Sequence, residues 1–177
     1  ALDAAGSDSG TDAGVGAPPF VGPDDTWTYV EIEGAVCGNG TPLGVAVSLR
    51  SSSARVLLYL QGGGACWDAA TCFALRSASH LEDTLDADTV LAEARSLDGY
   101  LTSRDPDVGP FADANIVYVP YCTGDLHSGS NVQTYMTATG PRDVHHVGAD
   151  NTDLILARLV ATVPSPSRVW LAGASAG

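Results

Sequence analysis

Apolar and polar residues alternate over Thr26-Trp-Thr-Tyr-Val-Glu-Ile-Glu33, the period-two signature of a strand with one buried face. Gly34 to Gly44 has the small residues of a turn and carries Cys37, and Val45 to Arg50 predicts a second strand. Ser51 to Ser53 reads as a hairpin loop leading to Arg55-Val-Leu-Leu-Tyr-Leu60, whose almost unbroken apolar run suits a central strand covered on both faces. Asn115 to Pro120 and Arg168 to Ala172 have the same character. Between them, Asn151 to Val163 repeats apolar residues at helical spacing, with Leu154, Ala157 and Leu159 or Ala161 facing inward, until Pro164 and Pro166 stop it. Strand, helix, strand in that order predicts an α/β fold with parallel pairing.

Ala1 to Asp25 breaks the pattern. It is built from Ala, Gly, Ser, Asp and Pro and is expected to be a flexible acidic linker, leaving residues 26–177 as the folded part. Across 177 residues, 21 acidic side chains against eight basic ones, all Arg, give a formal charge of −13. That balance argues against a nucleic-acid partner, because phosphate binding needs clustered cations. No apolar run approaches the roughly 20 residues of a spanning helix, so a soluble domain is expected. Cys37, Cys66, Cys72 and Cys122 lack paired C-x-x-C spacing, which favours disulfides over structural zinc without choosing among three connectivities. Disulfides imply a secreted or surface location, with any signal peptide removed ahead of Ala1.

Two segments carry candidate chemistry. Gly173-Ala-Ser-Ala-Gly177 matches G-x-S-x-G directly after a predicted buried strand, the setting of a nucleophile elbow that lifts the Ser175 hydroxyl to the sheet's carboxyl edge. Gln61-Gly-Gly-Gly-Ala-Cys66 follows the central strand, and consecutive glycines there expose backbone N–H groups. A phosphate loop would need a Lys-Ser/Thr that is missing. An alcohol nucleophile paired with donors for an oxyanion points to acyl transfer, which needs no cofactor.

Leu60-Gln-Gly-Gly-Gly-Ala-Cys-Trp67 with Cys72, then Phe111 through Tyr121-Cys-Thr-Gly-Asp-Leu-His127, His145 to Asn151 and Leu171 to Gly177 together resemble the pectin acetylesterase and Notum carboxylesterase family, closest to its bacterial branch. The resemblance runs from about Trp27 to the end. It implies an α/β-hydrolase-like, mostly parallel sheet, here incomplete and ending at the nucleophile elbow. It implies Ser175 as nucleophile, oxyanion donors at the N–H groups of Gly63, Gly64 and Ala176, and disulfides Cys66–Cys72 and Cys37–Cys122. Notum has an aromatic residue where Gly64 stands, which sets a fatty-acyl substrate in question.

In this fold class the triad runs Ser, then Asp or Glu, then His, so the acid and base are expected beyond Gly177 and the 177 residues alone are expected to be inactive. His80 reads as part of a charged, exposed helical region. His145 and His146 read as structural, and Asp125 and His127 as loop hydrogen bonders rather than zinc ligands. Asp143 and Asp150 read as helix-start residues. Trp67 is a candidate for the substrate surface, whereas Tyr118, Tyr121 and Trp170 suit the core. The expected substrate is a small acyl ester such as an acetylated polysaccharide. A lipase or polyester depolymerase sharing the elbow and a non-catalytic module on an esterase scaffold are the alternatives.

Overall fold

The computed structural model describes residues 16–97 and 100–177. In chain order the elements are β1 (Trp27–Val36), β2 (Pro42–Ser48), β3 (Arg55–Leu60), a single helical turn (Ala70–Ala74), α1 (Ala87–Ser96), β4 (Asn115–Val119), β5 (Asn131–Thr137), β6 (Gly140–His146), α2 (Gly148–Thr162) and β7 (Arg168–Gly173). Five strands form the main sheet in the order β1-β2-β4-β3-β7, and β5 pairs with β6 in a separate hairpin.

The sheet is mixed, which corrects the expectation of a mostly parallel one. β3 runs parallel to β4 and β7, but β2 is antiparallel to both β1 and β4. The turn from Cys37 to Thr41 is too short for a crossover and can only bring β2 back antiparallel. Ser51–Ser53 is not a hairpin loop either, because β4 lies between β2 and β3. Buried Asn115, the first residue of β4, holds that connection. Its Oδ1 accepts the Arg50 N–H (2.9 Å) and its Nδ2 donates to the Ser53 carbonyl (2.8 Å).

The core forms where β-branched and leucine side chains of the inner strands meet the helices. Val45, Val47, Val56, Val117, Leu58 and Tyr118 pack in one cluster with Val90 and Ala94 of α1 and Ile155 and Leu159 of α2. Helix α2 starts three residues earlier than the sequence pattern suggested, and its buried face is Gly148, Asn151, Ile155 and Leu159. Leu154, expected inside, faces solvent (37% exposed). Asn151 ties the helix to the sheet: its Oδ1 accepts the Val36 N–H (3.1 Å) and its Nδ2 donates to the Val36 carbonyl (2.8 Å). β7 also departs from expectation. It pairs only with β3 among the described residues, and Val169 and Leu171 are exposed.

Of the segment read as a linker, residues 1–15 lie outside the described residues. Phe20 is buried, with its N–H donating to Thr162 Oγ1 (2.7 Å), and Asp25 pairs with Arg50 (2.8 Å). No helix among the described residues is long and apolar enough to cross a membrane.

Both disulfides implied by the resemblance are formed, Cys37–Cys122 and Cys66–Cys72. The first closes 85 residues and the second six. Constraint of the unfolded chain then ranks them: replacing Cys37 and Cys122 by Ser is expected to lower the unfolding free energy by about 4–5 kcal/mol, and replacing Cys66 and Cys72 by about 2 kcal/mol. Denaturant titration of both double variants checks this, and equal losses would contradict it.

Candidate active site

β3 and β7 are adjacent and parallel, with Leu60 beside Gly173. Their carboxyl ends are therefore level, and the segments that leave them meet. Gln61-Gly62-Gly63-Gly64 leaves β3, and Ala174-Ser175-Ala176-Gly177 leaves β7 in a tight turn closed by the Gly177 N–H on the Ala174 carbonyl (3.0 Å). Ser175 is exposed at the tip with φ +57°, a left-handed conformation that most side chains avoid. Gly62 lies directly against it. A methyl group there would overlap the Ala174 carbonyl and come within 2.9 Å of Ser175 Cβ. Gly64 adopts φ +75°, and a methyl group there would overlap the Ser77 carbonyl.

The glycine loop is fastened from several sides. The Gly63 carbonyl accepts the Ser79 N–H (2.7 Å), and Ser77 Oγ donates to the Ala65 carbonyl (2.6 Å). The Cys66 N–H donates to the Gly124 carbonyl (2.9 Å), while the Cys66–Cys72 disulfide draws the chain back into the turn at 70–74. Among the described residues, none accepts a hydrogen bond from the backbone N–H of Gly63, Gly64 or Ala176. Of the four residues singled out in the sequence, Ser175 is exposed and its turn lies against Gly62; Gly63 and Gly64 follow Gly62 in the glycine loop, and Ala176 follows Ser175 in the turn.

The histidines are engaged elsewhere. His146 is buried, with Nδ1 bonded to the Thr123 carbonyl (2.8 Å) and Nε2 to Tyr135 Oη (3.0 Å). Its atoms approach the sulfurs of Cys66 and Cys72 within 4.8 Å, but a disulfide has no thiolate to offer a metal. The His145 ring lies against the turn at Gly40. His127 Nε2 meets the Gln61 carbonyl at 2.9 Å. Asp125 is spent on structure: it accepts from Thr123 Oγ1 (2.6 Å) and from the N–H groups of Gly129 (3.1 Å) and Gly148 (2.7 Å), the last at the start of α2. Asp150 lies in the first turn of α2 as expected, but Asp143 is in β6, where it accepts from Thr134 Oγ1 (2.6 Å). Trp67 is exposed at 69%, Tyr118 and Tyr121 are buried, and Trp170 packs edge-on against Phe111. Burial pushes the Tyr121 phenol up to about 12, so it stays neutral.

One cluster had no signal in the sequence. Half-buried His80 is neither helical nor exposed; its Nε2 lies 2.9 Å from Glu93 Oε1 on α1. Glu93 also accepts from Tyr118 Oη (3.3 Å) and lies near the side chain of Gln61, the residue that opens the glycine loop. The bond to Glu93 raises the His80 pKa. Burial alone would raise that of Glu93, but the bonds from His80, Gln61 and Tyr118 and the His80 charge outweigh it and hold it below the usual value.

The profile of the family described as Pectinacetylesterase matches residues 26–177. Among curated proteins, the palmitoleoyl-protein carboxylesterase NOTUM of Homo sapiens is 29% identical over 143 residues, covering 80% of this chain and 27% of that protein. The palmitoleoyl-protein carboxylesterase notum1a of Danio rerio is 27% identical over 106 residues, covering 60% of this chain and 21% of that protein. The inactive palmitoleoyl-protein carboxylesterase notum1b of Danio rerio is 31% identical over 98 residues, covering 55% of this chain and 68% of that protein.

The His80–Glu93 pair sets a pH dependence. A raised His80 pKa stabilises the fold fully below the unfolded value and loses that contribution as pH rises through the folded value. The lowered Glu93 pKa adds stability that disappears as pH falls through its own folded value. His80→Gln is therefore expected to lower the thermal midpoint most near about pH 6 and progressively less toward about pH 9. Melting curves across that range check it, and a deficit that grows with pH would contradict it.

Proposed function

The chain belongs to the pectinacetylesterase family, and on that footing we propose that it carries the nucleophile and oxyanion site of a serine carboxylesterase. Ser175 Oγ attacks the acyl carbon, and the N–H groups of Gly63, Gly64 and Ala176 hold the oxyanion that develops. The alcohol leaves, and water then releases the acid from the acyl-enzyme. The observation that carries this reading is the abutment of Ser175, in its left-handed turn, on a loop with unpaired amide donors.

The general base and the acid that orients it come from outside these 177 residues, since each histidine here serves another partner or a turn. Small acyl groups, acetyl above all, are the substrate class, with an acetylated polysaccharide as the carrier. Gly64 stands where Notum has an aromatic residue, which sets a fatty-acyl substrate in question. A charge of −13 gains nothing from a bare polyanion, so a neutral or capped polymer suits it better. Two disulfides suit a location outside the cytoplasm. A second reading, a non-catalytic member of the family, is favoured by one observation: the relative matched over 68% of its length is described as inactive.

Fluorophosphonate labelling of the full-length protein separates the two. The enzyme reading expects labelling that Ser175→Ala abolishes, with hydrolysis of p-nitrophenyl acetate falling at least about 1,000-fold; an unlabelled wild type supports the non-catalytic reading. Hydrolysis is expected to fall as the acyl chain lengthens, and a preference for long chains would instead assign a lipase. The 177 residues alone are expected to show no turnover that depends on Ser175, and such turnover would place the base among them.

A further inference from the structure

Gln61, which opens the glycine loop, is held at its backbone N–H, its side-chain oxygen and its carbonyl. Its N–H donates to the Val119 carbonyl (2.9 Å), and its Oε1 accepts the Tyr121 N–H (2.8 Å). Its carbonyl meets His127 Nε2 at 2.9 Å. A carbonyl oxygen only accepts, so Nε2 carries the proton and the ring donates. Peptide units are planar, so a donor that fixes the Gln61 oxygen also fixes the Gly62 N–H and the direction in which the backbone continues. Three glycines in succession have no side chains to limit their dihedrals, so the plane from which they hang matters more here than in an ordinary loop.

The chain pays a conformational cost to put the imidazole there. Leu126 (φ +61°) and His127 (φ +54°) are consecutive non-glycine residues in the left-handed region. Tyr121 holds both: its hydroxyl accepts the Leu126 N–H (2.9 Å), and its ring centroid lies 4.9 Å from that of the imidazole. We infer that His127 is a positioning residue, whose Nε2–H on the Gln61 carbonyl sets the peptide plane that aims the Gly63 and Gly64 amides. This rests on the reading of Ser175 as nucleophile.

The test uses the full-length protein and a short-chain ester. His127→Ala is expected to lower kcat about 10- to 100-fold with KM within about twofold, because the misplaced donors act on the transition state. His127→Gln, whose amide nitrogen can stand where Nε2 stands, is expected to recover kcat to within about threefold and to leave the acidic limb of the pH profile in place. An unchanged kcat in His127→Ala would overturn the inference, as would a His127→Gln variant as impaired as His127→Ala, the result expected of a proton acceptor. Should the alanine variant not fold, nitrogen NMR of the wild type decides: Nε2–H is the expected neutral tautomer, and Nδ1–H overturns the clamp. A wild type that neither hydrolyses esters nor takes the fluorophosphonate label defeats the esterase reading alone, and the tautomer still tests the clamp.

Discussion

The parallel register of β3 and β7, with Leu60 beside Gly173, is the constraint on which the rest depends. It makes two strand ends level, so that a chain leaving one must accommodate the chain leaving the other. Side chains at neighbouring positions point to opposite faces, so a slip of one residue would turn the Ser175 segment away from the glycine loop. Contact at this junction is so close that Gly62 has no room for a β-carbon. A loop chosen for its small size also exposes amides, so packing and donor geometry have one cause.

Backbone strain gathers around this junction. Among the described residues, the non-glycine residues with positive φ are Asp25, Arg76, His80, Leu126, His127 and Ser175. All but Asp25 lie in the turn after β7 or in the two segments fastened to the glycine loop. Each such conformation costs on the order of 1–3 kcal/mol and persists only where surrounding contacts over-determine it. Those contacts are visible: the Cys66–Cys72 disulfide, the Asp125 carboxylate stapling its loop to α2, the Tyr121 hydroxyl on the Leu126 N–H, and the Glu93 cluster beneath Gln61. The other disulfide, Cys37–Cys122, anchors the end of β4 to the β1–β2 turn, where the Gly38 N–H also donates to the Cys122 carbonyl (2.8 Å).

What could be read from the sequence was local. An apolar strand that ends abruptly in small residues is recognisable at both Leu60 and Ala172, and Ser175 and the glycine loop follow from those two endings, whereas the choice of Gly63, Gly64 and Ala176 as donors came from the family resemblance. Strand order was not readable, because the insertion of β4 between β2 and β3 depends on contacts between distant segments, such as Asn115 with Arg50 and Ser53. Hairpin β5–β6 gives a weak signal because most of its residues are exposed; Val144 and His146, at the end of β6, are its buried positions, too few to impose alternation. The rotation of α2 was misjudged by one position because its first turn, at Gly148, is set by the Asp125 carboxylate rather than by an apolar residue. His80 and Glu93 lie on separate elements, and neither stands in a pattern that predicts the other. The disulfide pairing came from family resemblance and could not have come from spacing.

A structure of the full-length protein covalently trapped by an organophosphate tests the central claim most directly. The expected result is phosphorus bonded to Ser175 Oγ, with the phosphoryl oxygen within hydrogen-bond distance of the amide nitrogens of Gly63, Gly64 and Ala176. An adduct on another residue, or a phosphoryl oxygen turned to solvent away from the glycine loop, would contradict it.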